Sequence, residues 1–121
     1  MSDLNHAISD ALRAHGAWKL RLKTGIAKGS LELPADDISQ NNLCAFGKWL
    51  EDAARDPAIA GLPEFAEVQT LHTNFHKLAG FIAKRIEDNN VEGAARKLNN
   101  GQFDHLSHEL AAALQRLKKA A

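Results

Sequence analysis

Val68, Leu71, Phe75, Leu78 and Ile82 follow one another at spacings of three and four, and only a helix turns such spacing into one continuous apolar face. A helix of that kind must be covered by other elements. His72 and His76 each fall one position beyond a stripe residue, so the pair flanks a core instead of facing open water. Because they are four apart, the two imidazoles lie one above the other and can converge on a single ion. Position 73 is Thr, unlike the His-Glu-x-x-His of zinc proteases, whose Glu is the general base. A metal held here is bound rather than used for hydrolysis. By itself the pair reads either as the anchor of a metal site or as two satisfied, partly buried side chains. A closed zinc site takes four N or S donors, so the first reading requires two more from elsewhere in the chain.

The rest of the sequence reads as further helices. Ser2 or Asp3 can cap a first helix that runs to about Lys28 and stops at Gly29. Its stripe is Leu4, Ile8, Ala11, His15, Trp18 and Leu22, so His15 takes a position that the pattern reserves for apolar residues. An unpaired buried imidazole costs about 1–3 kcal/mol. Its partner is either a backbone or carboxylate acceptor, or the ion of His72 and His76. Pro34, Asp36, Asp37 and Ser39 mark residues 30–40 as a connection. A shorter helix spans about Asn42 to Ala54 and is ended by Asp56-Pro57. Within it Cys44 and Gly47 share a face, where a glycine lets a backbone or a metal centre come close; the alternative is a small buried thiol beside a close-packed glycine. Pro63 opens the longest later helix, to about Asp88, with Glu64 and Glu67 near the positive end of its dipole. A short helix from Val91 to Leu98 and a last one from Gln102 to about Lys119, striped by Phe103, Leu106, Leu110, Ala113, Leu114 and Leu117, complete the chain. No segment alternates with period two, and the sum is an all-α fold: an antiparallel four-helix bundle with an additional short helix.

At 121 residues the chain is expected to form one domain, residues 1–121, with a core that needs no staple. Fifteen basic and fifteen acidic residues cancel, which points away from nucleic acid and anionic membranes. No apolar run is long enough for a span, and Met1-Ser2-Asp3 begins neither a basic nor an apolar segment, so a cytoplasmic location is expected. Cys44 is the single cysteine and has no internal disulfide partner; in a reducing compartment it is an inert core residue, a reactive thiol or a metal ligand. His6, His105 and His108 lie off their stripes and read as solvated. A ferritin-like di-iron site needs carboxylates that are missing, since Leu12, Gln69 and Gln102 stand where Glu-x-x-His would place them. A hemerythrin-like site fails too, because His72 and His76 form the one His-x-x-x-His of the chain. Three imidazoles and one thiolate suit borderline-soft zinc instead.

Together, His15-Gly16-Ala17-Trp18, Cys44-Ala45-Phe46-Gly47-Lys48-Trp49 and His72-Thr73-Asn74-Phe75-His76 resemble the chemoreceptor zinc-binding (CZB) domain, with its His-x-x-Trp, Cys-x-x-Gly-x-Trp and His-x-x-x-His segments in that order. The resemblance implies a zinc site formed by His15, Cys44, His72 and His76, and nothing in the sequence departs from that set. It further implies a bacterial, cytosolic sensor, often a homodimer, that controls a chemoreceptor signalling domain or a diguanylate cyclase. The chain has no room for such an output module, so it is read as a stand-alone member or an excised domain. A closed tetrahedron has no open position for an activated water, so the chain is not expected to be an enzyme. A single thiolate exposes the site to oxidants, and imidazoles of free pKa about 6.5 expose it to protons. The alternative is a metal-free helical dimerisation bundle whose His and Cys are core residues; an open-zinc enzyme ranks behind both.

Overall fold

In the computed structural model, which describes residues 2–40 and 44–120 and, among them, side chains from residue 5 onward, the other helices gather on the one that Pro63 opens. This helix, α6 (Pro63–Glu87), has 25 residues and so is about 37 Å long. Of its expected stripe Val68, Phe75, Leu78 and Ile82 are buried and Leu71 is half-buried, and His72, His76, Ala79, Ala83 and Ile86 are buried too. The buried set is wider than one stripe because α6 is covered on several sides. The first helix is present as α1 (Ser2–Gly16) and α2 (Trp18–Lys28), and the later ones as α7 (Val91–Asn99) and α8 (Gln102–Ala120); α8, α7 and α2 all pack on α6.

The junction of α1 and α2 was not expected. Ala17 keeps helical angles, φ −77° and ψ −15°, and the bonds from Ala17 N–H to Arg13 O and from Arg21 N–H to Ala17 O cross it at 3.2 and 3.1 Å. The rod is loosened rather than broken, as a glycine at position 16 would do. Gly29 ends α2 with φ 77°, the left-handed stop that its sequence position suggested.

Residues 30–40 contain more than a connection. They include α3 (Ala35–Ser39), a single turn laid along α6. Gly80 permits that closeness, because a Cβ there would meet Ser39 Cα at 2.8 Å. The Ala35 N–H donates to Glu87 Oε2 at 2.7 Å, which ties the start of α3 to the end of α6.

The short middle helix, α4, is Ala45–Ala53; the expected start at Asn42 lies outside the described residues. Cys44 does not stand on its face. It is extended, with φ −81° and ψ 156°, and caps the helix. Asp56 ends this region as expected and caps α5 (Pro57–Ala60) through its carboxylate, which accepts from Ala58 N–H at 3.0 Å. The bundle therefore has the expected principal helices, with α3 and α5 as short elements besides α7. Its core is apolar: Ile8, Leu22, Phe75, Ile82, Leu98, Phe103, Leu110, Leu114 and Leu117 are almost inaccessible, and each such side chain contributes about 1.5–3 kcal/mol by leaving water. Among the described residues no helix is long and apolar enough to cross a membrane.

Candidate metal centre

Four side chains from three regions of the sequence meet beside the middle of α6. His15 comes from the last turn of α1, Cys44 from the cap of α4, and His72 and His76 from successive turns of α6. His15, His72 and His76 are buried and Cys44 is half-buried. Their ligand atoms all lie within 4.8 Å of one another. His6, His105 and His108 are exposed, as expected, and His105 Nε2 faces Glu109 at 2.9 Å.

The separations suit a tetrahedral ion. His15 Nε2 is 3.1 Å from His72 Nε2 and 3.3 Å from His76 Nε2. Cys44 Sγ is 3.5 Å from His72 Nε2 and 3.7 Å from His76 Nε2. With Zn–N of about 2.0–2.1 Å and Zn–S of about 2.3 Å, a regular tetrahedron has N–N edges of roughly 3.3–3.4 Å and N–S edges of roughly 3.6 Å.

Proton placement separates a metal site from a hydrogen-bonded core cluster. The carbonyl of Ala11 accepts from His15 Nδ1 at 2.8 Å and that of Ile38 from His76 Nδ1 at 2.9 Å. A carbonyl oxygen accepts only, so both rings carry their proton on Nδ1 and present a bare lone pair at Nε2. Two lone pairs 3.3 Å apart repel unless a cation lies between them. A proton is the wrong cation, because burial depresses the imidazole basicity: His15 is lowered to about 4 and His72 to about 3, with His76 lowered by burial as well. Burial also raises the Cys44 thiol, against the pull of the Gly47 N–H, which donates to Sγ at 3.2 Å, and of Lys48.

The depressed imidazoles give the metal-free chain a pH dependence. Above about pH 6.5 folded and unfolded chains both hold neutral imidazoles; below it the unfolded chain takes up protons. The folded chain follows only when the pH reaches about 4 at His15 and about 3 at His72. Stability is therefore complete above 6.5 and is lost as the pH falls through this window. At about 1.4 kcal/mol per unit, His15 alone removes roughly 3 kcal/mol. Urea unfolding of metal-stripped protein from pH 7 to about pH 4 should show the loss, and His15→Leu should flatten it; an equal slope in the variant would contradict the assignment. Protonation of the folded site itself, expected near 6.5, thus moves to lower pH.

The sequence allowed a backbone acceptor for His15 without pointing to Ala11, and gave no sign of the Ile38 carbonyl that serves His76. A main-chain acceptor leaves no residue-type signal, and Ile38 belongs to the helix α3 that was read as a connection. The rings of Phe46 and Phe75 wall the cluster, with centroids 5.3 Å from His72 and 5.3 Å from His15 respectively. A family model described as the chemoreceptor zinc-binding domain matches residues 15–83, a span that starts on His15 and takes in the other cluster members. No curated protein and no solved structure matches the chain.

Proposed function

The chain belongs to the chemoreceptor zinc-binding domain family, and from that premise we propose that it is a regulatory sensor domain whose zinc is held by His15, Cys44, His72 and His76. The observation that carries this reading is the pair of bare Nε2 lone pairs, 3.3 Å apart, on rings whose protons are fixed elsewhere. A zinc ion supplies charge that binds all four donors. The thiolate cancels half of that charge, and four protein donors leave no position for an activated water, which supports a regulatory role over a catalytic one. Cys44 is half-buried, so small oxidants reach the one ligand they can oxidise, through sulfenic acid and beyond. On this reading the chain is one cytoplasmic bacterial domain over residues 1–121 that reports zinc, oxidants or both to a chemoreceptor or diguanylate cyclase type of output.

A homodimer accompanies this reading. Ala111, Ala112 and Ala113 follow one another on α8 and would let a second bundle approach closely, but Ala113 is in the core and Ala111 is half-buried. Larger apolar exposure lies at Leu20 and Leu33, which are 69 % and 42 % exposed and line one groove with Trp18, Leu31 and Ile38. One preparation tests both points. Protein purified without an affinity tag should carry about one zinc per chain by elemental analysis, whereas absence of metal would support the plain bundle. Sedimentation of the same sample at tens of micromolar should show a dimer; only monomer, with and without zinc, would count against it.

A further inference from the structure

Of the three cluster imidazoles, His72 differs in one respect. Its Nδ1 is, among the described residues, the buried side-chain nitrogen or oxygen that has no hydrogen-bond partner. In the metal-free chain the His72 proton can sit on Nε2 and be given to His15 Nε2, 3.1 Å away, leaving Nδ1 a bare lone pair. Once Nε2 is a metal ligand the proton must move to Nδ1, where it needs an acceptor. Metal-bound imidazoles almost always find one in a carboxylate, a carbonyl or a water, and those of His15 and His76 are already present.

His72, though fully buried, is among the residues that line a groove between α4 and α6, together with Gly47, Glu51, Arg55, Gln69 and Thr73. Three of these carry side-chain oxygens. Thr73 has an interaction of its own. Gln69 precedes His72 on α6, and helical side chains lean toward the N-terminus, which carries its amide away from the ring while the ring leans toward it. Glu51 stands across the groove on α4, exposed and with no ion pair among the described residues. Its charge also opposes the half of the ion's charge that Cys44 leaves uncancelled.

We propose that Glu51 is the positioning residue of this site: its carboxylate accepts the His72 Nδ1–H when Nε2 is bound to zinc, and so couples α4 to the metal a second time beside Cys44. This rests on the zinc reading above. Competition with a chromophoric chelator, on full-length protein, should show Glu51→Ala weakening zinc binding by about tenfold or more, the range seen when an outer partner is lost. Glu51→Gln, which keeps an acceptor without the charge, should fall between, and Gln69→Ala should match the parent. Proton NMR of the zinc-bound imidazoles gives a readout that mere destabilisation would not move: the His72 Nδ1–H resonance should shift upfield in Glu51→Ala while those of His15 and His76 stay. Unchanged affinity and an unmoved His72 proton, the result expected if a water is the acceptor, would overturn the proposal, as would a loss confined to Gln69→Ala. A parent protein that binds no zinc would overturn the zinc reading itself and this one with it.

Discussion

Replacing His72 or His76 by Ala is expected to lower zinc affinity by well over the ~10–100-fold that loss of an outer partner costs, with the helical content retained. Each ring supplies one donor of a four-donor set, and three remaining donors leave the ion partly solvated. The fold should survive because the apolar side chains that cover α6, α8 and α1 are untouched, and in His76→Ala also because the change removes an Nε2 lone pair that faces that of His15 across 3.3 Å. A truncation at a buried ring leaves a cavity, so a modest fall in melting temperature is part of the expectation. His105→Ala and His108→Ala should leave the affinity at the parent level, since both rings are exposed. Chelator competition and far-UV circular dichroism on the same samples measure both halves. If the exposed pair abolished binding and the buried pair did not, the site would be misplaced.

The periodic parts of the chain were legible, and the reasons are visible in what each residue does. The spacing that marked Val68, Phe75, Leu78 and Ile82 marks buried side chains, and Pro63 and Gly29 punctuate helices as their backbone preferences dictate. His15 in a core stripe signalled a partnered imidazole, and it is one. Cys44 was placed on a helix face, whereas its extended backbone makes it a cap whose sulfur receives the Gly47 N–H. Residue pattern alone does not separate those two cases, since the i, i+3 relation to Gly47 is common to both. The helix α3 escaped because five residues are too few to show a period. Its closeness to α6 depends on the absence of a side chain at Gly80, a feature that reads as a neutral small residue until the neighbouring turn is known. The acceptors that fix the tautomers of His15 and His76 are main-chain atoms, so the proton placement that argues for a cation becomes visible only in the folded chain.

Metal removal should act on α4 first, and this is the second large effect. The helix has nine residues, below the ~12–15 at which an isolated helix is even marginal in water, so it depends on its attachments. Those are Phe46, Leu50 and Ala53 in the core, packing chiefly on α1, and Cys44 at its N-terminus. By contrast α6 and α8 cover each other along their length with Phe75, Phe103, Leu110, Leu114 and Leu117, and the Arg116–Glu67 pair joins them outside. With free zinc at about a thousand times Kd, linkage adds about 4 kcal/mol to any opening that must first release the ion, or roughly a thousandfold in opening equilibrium. Opening of α4 with Cys44 is such an event; fraying of the far end of α8 is not. Hydrogen exchange of residues 45–53 should therefore accelerate by up to about three orders of magnitude when zinc is stripped, or when Cys44 is oxidised and the thiolate donor lost, while the amides of α6 and α8 away from the site change little. A released α4 is the local, reversible change that an attached or bound output module would read. Acceleration spread evenly over all helices would mean that the ion holds the whole fold together, no change would mean that it holds nothing, and either result would sink this account of how a signal leaves the site.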